Sequence, residues 1–157
     1  MSTKHPEELL TELGLELPEP PTAVANYLGA VQTGNLLFVS GHGPVVDGDH
    51  IYLGKLGRDL DVPEGQKSAE LVMLNALATI KKSLGDLDRV NRFVKLLCLV
   101  NSAPDFIEQH LVANGASDLL VKAFGEERGK HGRSAIGMGS LPFGISVEIE
   151  MVVEVKD

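Results

Sequence analysis

The feature that most constrains the fold is a strict alternation near the end of the chain. Every second residue from Val147 to Val155 is apolar, and Glu148, Glu150 and Glu154 stand at positions between them. Successive side chains of a β-strand point to opposite faces, so the pattern predicts a strand over 147–155 with one buried face. A sheet built on such a strand needs a second layer to cover its apolar side.

A long helical repeat over 66–84 predicts that layer. Its apolar residues recur at spacings of one, three and four and form a single face, with Gly85 as the stop signal; they are Ala69, Val72, Met73, Ala76, Ile80 and Leu84. Weaker patterns predict a short N-terminal helix within 2–14 and helical segments over 103–110 and 119–127. Leu9, Leu10 and Leu13 form the apolar stripe of the first of these.

The remaining strands are predicted to come largely in hairpins. Gly34 and Asn35 separate two β-rich runs over 30–33 and 36–40, and a second pair of short runs, 45–46 and 51–53, flanks a turn at 47–49. A buried strand is predicted over 89–100. The strand over 133–139 is predicted to turn near Pro142 and pair with 147–155. The segments 54–65 and 126–132 are predicted as loops, and the three prolines within 15–22 predict an extended connector.

This order predicts an α+β fold, a mixed sheet with helices packed on one face. The other face is left for solvent or for a partner subunit. The 157 residues suit one domain, 1–157, in which 1–22 holds the N-terminal helix and the connector.

Composition excludes several classes of function. The net charge of −8 repels phosphate backbones and argues against nucleic-acid binding. The single cysteine, Cys98, excludes an intrachain disulfide and a cysteine zinc cage, and its apolar neighbours predict a buried, inert thiol. The five histidines lack metal-ligand spacing, so no metal is expected. No phosphate-binding loop or dinucleotide-binding glycine motif occurs, so no cofactor is expected either. The absence of a membrane-length apolar run and of a signal-peptide pattern predicts a cytoplasmic protein.

Two charged residues on the predicted terminal strands are candidates for chemistry. Arg133 shares its strand face with Ala135, Gly137 and Gly139, so its guanidinium should face open space suited to bidentate capture of a carboxylate. Glu148 is predicted on the same open, helix-free face, where it could hold or activate water. The alternative is that both are ordinary polar residues of a solvated sheet face.

Three stretches resemble the Rid family, also called YjgF or reactive intermediate deaminase, which includes the endoribonuclease L-PSP proteins. They are "ANYLGAVQTGNLLFVSGHGPV" (25–45), "SAELVMLNALATIKKSLGDLDRV" (68–90) and "GRSAIGMGSLPFGISVEIEMVVEV" (132–155). The last is the most specific, with an Arg-Ser pair, then Leu-Pro, then Val-Glu-Ile-Glu. The N-terminal helix and "LGLELPEPP" resemble a longer-chain subgroup.

The resemblance implies a chorismate-mutase-like subunit, a homotrimer with active sites between subunits, and hydrolysis of 2-imino acids to 2-oxo acids and ammonia. By position, Arg133 matches the arginine that holds the substrate carboxylate, and Glu148 matches the glutamate that positions water. Substrate-binding positions fall on Tyr27, Ser40, Gly41 and Ala135, the last where typical members have cysteine.

Further departures from the family pattern leave the natural substrate open. His42 replaces a common glutamine, Asp118 falls near a usual asparagine, and 101–117 is longer than in typical members. Three functions therefore remain: an imine or enamine deaminase, a non-enzymatic module that binds small carboxylates such as 2-oxo acids, and a ribonuclease or translation inhibitor. The acidic charge and the scarcity of aromatic residues disfavour the third.

Overall fold

The computed structural model describes residues 4–21 and 25–156. Their elements, in chain order, are α1 (Pro6–Glu12), β1 (Ala30–Thr33), β2 (Leu36–His42), β3 (Val45–Val46), β4 (Asp49–His50), α2 (Val62–Leu84), β5 (Val90–Asn101), α3 (Gln109–Gly129), β6 (Gly132–Met138) and β7 (Val147–Val155). The predicted N-terminal helix and connector are present, although residues 2, 3 and 22 lie outside the described part. The second hairpin is confirmed with its return strand at Asp49–His50, two residues before the expected 51–53.

One mixed sheet of five strands, in the order β1-β2-β7-β5-β6, forms the centre of the fold. Its neighbouring pairs are antiparallel except β5 and β6, which run parallel. The predicted hairpin of the last two strands is therefore wrong, because β5 lies between β6 and β7. The helix α3 carries the chain from β5 back to the start of β6, and such a crossover brings the next strand in parallel.

The helix α2 begins four residues earlier than predicted. Asp61 caps it, since its carboxylate accepts from the Glu64 N–H while the Glu64 side chain accepts from the Asp61 N–H. This reciprocal capping box, with Pro63 in the first turn, satisfies N–H groups that have no partner inside the helix. The predicted loop over 54–65 therefore ends at Asp61. Gly85 ends the helix in the left-handed conformation, with φ of 83°.

The helix α3 replaces two predicted segments. The predicted helix over 103–110 is wrong for most of its length, because helical structure begins only at Gln109. The predicted helix over 119–127 lies within α3, and the predicted loop over 126–132 is wrong as far as Gly129. Gly125, with φ of 77°, interrupts the helical backbone without ending the element. The glycine thus produces a kink inside the predicted helical segment.

The core lies between the sheet and the helices α2 and α3. The alternate residues of β7 from Val147 to Val155 are buried there, as the alternation predicted, and Cys98 is fully buried among them. No helix of the described segments is long and apolar enough to cross a membrane.

The opposite side, which we call the open sheet face, is covered by no helix of residues 4–21 or 25–156. It exposes three large apolar side chains, Val31, Phe38 and Ile136, each by about half of its surface.

Candidate active site

Arg133 lies on the edge strand β6 and faces the helix layer. It pairs in register with Leu96, which is fully buried on the helix side. Its guanidinium donates to three groups of α3: the Asn114 side-chain oxygen at 2.9 Å, the Ser117 hydroxyl at 3.0 Å and the His110 carbonyl at 3.1 Å. The expectation that Arg133 faces open space on the helix-free side is therefore wrong, because α3 extends over that edge of the sheet.

These bonds leave part of the guanidinium available. An arginine has five N–H donors, and the three contacts engage both hydrogens of Nη1 and one of Nη2. One donor on Nε and one on Nη2 have no partner among the described residues. A carboxylate accepts a parallel pair of hydrogen bonds from such a fork, so α3 fixes one end of the Arg133 side chain and leaves the other end suited to an anion.

Glu148 lies on the open sheet face, as predicted, and packs against Gly41. A Cβ added at Gly41 would stand 2.1 Å from the Glu148 Oε1 atom, so a larger residue there would displace the carboxylate from its present position. The Glu148 side chain is half-buried. Burial, with a smaller contribution from the neighbouring charge of Glu150, raises the pKa of Glu148 above its usual value. A carboxylate of this kind is a better proton acceptor than a fully solvated one.

An irregularity in β2 shapes the backbone beneath Glu148. The pairing of β2 with β7 shifts register between Val39 and His42, which is the signature of a β-bulge at Ser40 and Gly41. The Ser40 hydroxyl donates to the Leu28 carbonyl at 2.6 Å. The bulge therefore brings two of the predicted substrate-binding residues, Ser40 and Gly41, to Glu148.

His42 supports this bulge from inside the protein. Its Nδ1 lies 2.6 Å from the Ser40 carbonyl, and its Nε2 lies 2.8 Å from the Thr79 hydroxyl on α2. A carbonyl only accepts, so Nδ1 carries the proton and Nε2 accepts from Thr79. Burial lowers the pKa of His42, partly opposed by the hydrogen bond to Ser40. The ring is thus a structural bridge between α2 and the bulge.

The other predicted site residues lie apart from Glu148. Ala135 sits on β6 opposite Cys98, on the same helix-facing side as Arg133, and packs against the core. Tyr27 is half exposed, and within the described residues its side chain has no hydrogen bond to Arg133 or Glu148. The structure thus forms two groups: Arg133 with Ala135, and Glu148 with the bulge.

One subunit does not bring the two groups together. Arg133 is in register with Leu96 and Glu148 with Leu99, on β5 between them. Arg133 and Glu148 are therefore separated by two strand spacings across the sheet, about 10 Å, and by three residues along the strands, about another 10 Å. Their side chains also leave opposite faces of the sheet. A site that uses both needs a second subunit.

The polar partners of Arg133 were not predicted from the sequence. His110, Asn114 and Ser117 follow one another at spacings of four and three, which places them on one face of a helix. His131 joins them, with its Nε2 3.1 Å from the Ser117 hydroxyl. The i, i+3 spacing of the polar side chains of Asn114 and Ser117 was a usable signal, but the segment was not predicted as one continuous helix. His110 contributes only its backbone carbonyl, which its residue type does not signal.

A metal centre is not supported by the described residues. His5, Glu7 and Asp86 bring their potential ligand atoms within 4.8 Å of one another. However, the His5 Nδ1 atom accepts the Glu7 backbone N–H, so Nε2 carries the proton and donates to Asp86 at 2.7 Å. Neither ring nitrogen is free to bind a cation, and the cluster instead caps α1 and attaches it to the turn after α2.

The fold and sequence together place the chain in a known family. Residues 7–154 match the family model described as "YjgF/chorismate_mutase-like, putative endoribonuclease". The match covers most of the chain, and the protein belongs to this family, as the resemblance indicated.

Several relatives match along nearly their whole length. Protein TCP17 of Trypanosoma cruzi is 46% identical over 148 residues, covering 94% of this chain and 92% of the relative. The crystal structure of the Agrobacterium tumefaciens protein Atu1372, of unknown function, is 47% identical with a TM-score of 0.90, covering 96% and 92% of the two chains. A crystal structure described as a "putative endoribonuclease" from Shewanella oneidensis is 35% identical with a TM-score of 0.93, covering 97% and 100%.

Proposed function

We propose that this protein hydrolyses reactive 2-imino or enamino acids to 2-oxo acids and ammonia, in clefts between the subunits of a homotrimer. The observation that carries the proposal is the half-satisfied guanidinium of Arg133. Three bonds to α3 fix its orientation, while two N–H donors stay available for a carboxylate. Family membership supports the substrate class.

In this proposal Arg133 binds the substrate carboxylate and Glu148 acts on water. Water adds its oxygen to the carbon of the protonated imine, the C=N π electrons move to nitrogen, and Glu148 accepts a proton from the water. Glu148 then returns this proton to the amine of the aminoalcohol, the C–N bond breaks and ammonia leaves, and the hydroxyl loses its proton as the carbonyl of the 2-oxo acid forms. The raised pKa of Glu148 suits a group that takes up and releases a proton within one cycle.

The separation of the two groups favours assembly. Arg133 and Glu148 of one subunit leave opposite faces of the sheet, so a shared cleft would take Arg133 from one chain and Glu148 from another. The exposed apolar side chains of the open sheet face offer a surface that a second chain would bury. In the same cleft Tyr27, Ser40, Gly41 and Ala135 would bind substrate.

Ammonia release from freshly generated 2-iminopropanoate tests this function. We expect turnover by the wild-type protein and its loss in Arg133→Ala, with the oligomer confirmed by light scattering. Arg58→Ala is the matched control, because Arg58 is an exposed arginine paired with Asp59 alone among the described residues. Normal turnover by a folded Arg133→Ala protein would refute the proposal.

Two further outcomes separate the alternatives. Calorimetric binding of pyruvate that depends on Arg133, with no imine hydrolysis, would instead identify a carboxylate-binding module. RNA cleavage by highly purified protein, lost in Glu148→Gln, would identify a ribonuclease. The net charge of −8 argues against that last result.

A further inference from the structure

A serine and a histidine beside Arg133 form a directed hydrogen-bonded pair. The His131 Nδ1 atom lies 2.7 Å from the Gly129 carbonyl, and Nε2 lies 3.1 Å from the Ser117 Oγ atom. The carbonyl can only accept, so Nδ1 carries the proton and Nε2 is the acceptor. The Ser117 hydroxyl therefore donates its hydrogen bond to the unprotonated Nε2 atom of His131, which can act as a base.

This pair matches the geometry of an activated nucleophile. A hydroxyl lies within reach of a base, and a third group orients that base. The Arg133 Nη1 atom donates to the same Ser117 oxygen at 3.0 Å, which favours negative charge on that oxygen. Burial lowers the pKa of His131, opposed by the hydrogen bond to Gly129 and aided by the nearby Arg133 charge, so the neutral ring, which can accept a proton, is favoured.

Other hydroxyls of the described segments lack this combination. Thr79 donates to His42 in a similar way, but both residues are almost fully buried and hold the bulge in place. Ser134 accepts from Lys95 at 2.7 Å and meets no imidazole. Ser117 and His131, by contrast, are only partly buried.

We propose that Ser117 is a nucleophile, activated by His131, that cleaves activated esters and thioesters whose acyl group carries a carboxylate. The two free donors of Arg133 would hold that carboxylate, and the acyl carbon would lie at Ser117. Both positions adjoin one guanidinium, so the carboxylate stands two or three bonds from the acyl carbon, as in malonyl and succinyl groups.

The chemistry balances without a metal or a redox partner. The Ser117 oxygen bonds to the acyl carbon, and its proton passes to the His131 Nε2 atom. The bond from the acyl carbon to the alcohol or thiol breaks, and the leaving group takes the proton from His131. Water then hydrolyses the acyl-serine and releases the dicarboxylate.

Labelling with an alkyl fluorophosphonate, located by mass spectrometry, tests the nucleophile. We expect modification of Ser117, slowed by added succinate, and its loss in Ser117→Ala. His131→Gln can still accept the Ser117 hydrogen bond but is not basic, so labelling should slow at least about 100-fold. Ser134→Ala is the matched control and should label like wild type. No labelling of Ser117 above that of denatured protein, or equal labelling in His131→Gln, would overturn the proposal.

A cysteine variant gives a second measurement. Burial raises the pKa of the native Cys98 thiol to about 12, so it leaves little background. In Ser117→Cys, iodoacetamide should alkylate residue 117 at pH 7 at least about tenfold faster than in Ser117→Cys/His131→Gln. Equal rates would show that His131 does not activate this position. Neither labelling experiment measures imine hydrolysis. A negative result for Ser117 would therefore not contradict the proposed deaminase activity, and a negative result for ammonia release would not contradict the proposed nucleophile.

Discussion

Replacing Gly41 by alanine should disable Glu148 without removing it. The added Cβ would lie 2.1 Å from the Glu148 Oε1 atom and 3.0 Å from its Cδ atom, while ordinary contacts begin near 3.4 Å. The carboxylate must therefore move by more than about 1 Å, a displacement that can cost about 100-fold in rate when a reacting group is misplaced. We expect kcat for ammonia release to fall by about that factor, because the carboxylate that activates water is displaced.

The stability cost should be modest and should disappear when Glu148 is shortened. The obstructing atoms belong to a half-buried, flexible side chain, so the cost should be about 1 kcal/mol, the lower end of the overpacking range. In a Glu148→Ala background the clash is absent, and Gly41→Ala should then cost almost nothing. Urea denaturation of the four proteins gives the coupling free energy directly.

Two results would refute this reasoning. Wild-type kcat in Gly41→Ala would show that the position of the carboxylate does not matter. Equal destabilisation in the presence and absence of the Glu148 side chain would show that the contact with Gly41 is not the cause. Gly139→Ala is the matched control, because a Cβ there meets nothing within 4 Å.

Three further perturbations test other parts of the structure. Arg133→Lys should lower kcat/KM for ammonia release about 10- to 100-fold, since lysine cannot replace the fork and one charged hydrogen bond is worth about 1.5–3 kcal/mol; an unchanged value would argue against bidentate binding. Gly115→Ala should destabilise the protein by about 3 kcal/mol in urea, because its Cβ would meet the Gln66 carbonyl oxygen at 2.0 Å, whereas Gly139→Ala should change stability by less than about 0.5 kcal/mol. The lowered pKa of His42 means that folding favours its neutral ring and that this stability is lost as pH falls. His42→Gln does not titrate, so its urea midpoint should decline less than that of wild type between pH 7 and pH 5, and equal declines would contradict the assignment.

Much of the fold follows from local pattern. The alternation over Val147–Val155 and the repeat that became α2 each depend on residues close in the chain, and both elements were predicted correctly. The start of α2 was predicted four residues late, although its signal, Asp61 with Glu64, is also local. The helix α3 was predicted in two pieces because 111–118 carries no clear helical repeat, whereas burial of Ala116, Leu119 and Leu120 against the core accompanies a continuous helix there.

The candidate site was likewise predicted in part from the sequence and completed only by the structure. Arg133, Glu148, Ser40 and Gly41 were found from their residue types and family spacing, and the structure brings the last three of them together. It also shows that Arg133 turns to the helix layer, where Asn114 and Ser117 hold it.

Local sequence patterns were sufficient to predict β7, most of α2, the acidic charge and the buried cysteine, since these are properties of single residues or of neighbours in the chain. Only the tertiary structure decided that β5 separates β6 from β7, and that Arg133 and Glu148 face opposite ways. The order of strands and the partners of a side chain depend on contacts between residues far apart in the chain. Such contacts follow from how the layers pack, which no local pattern in the sequence encodes.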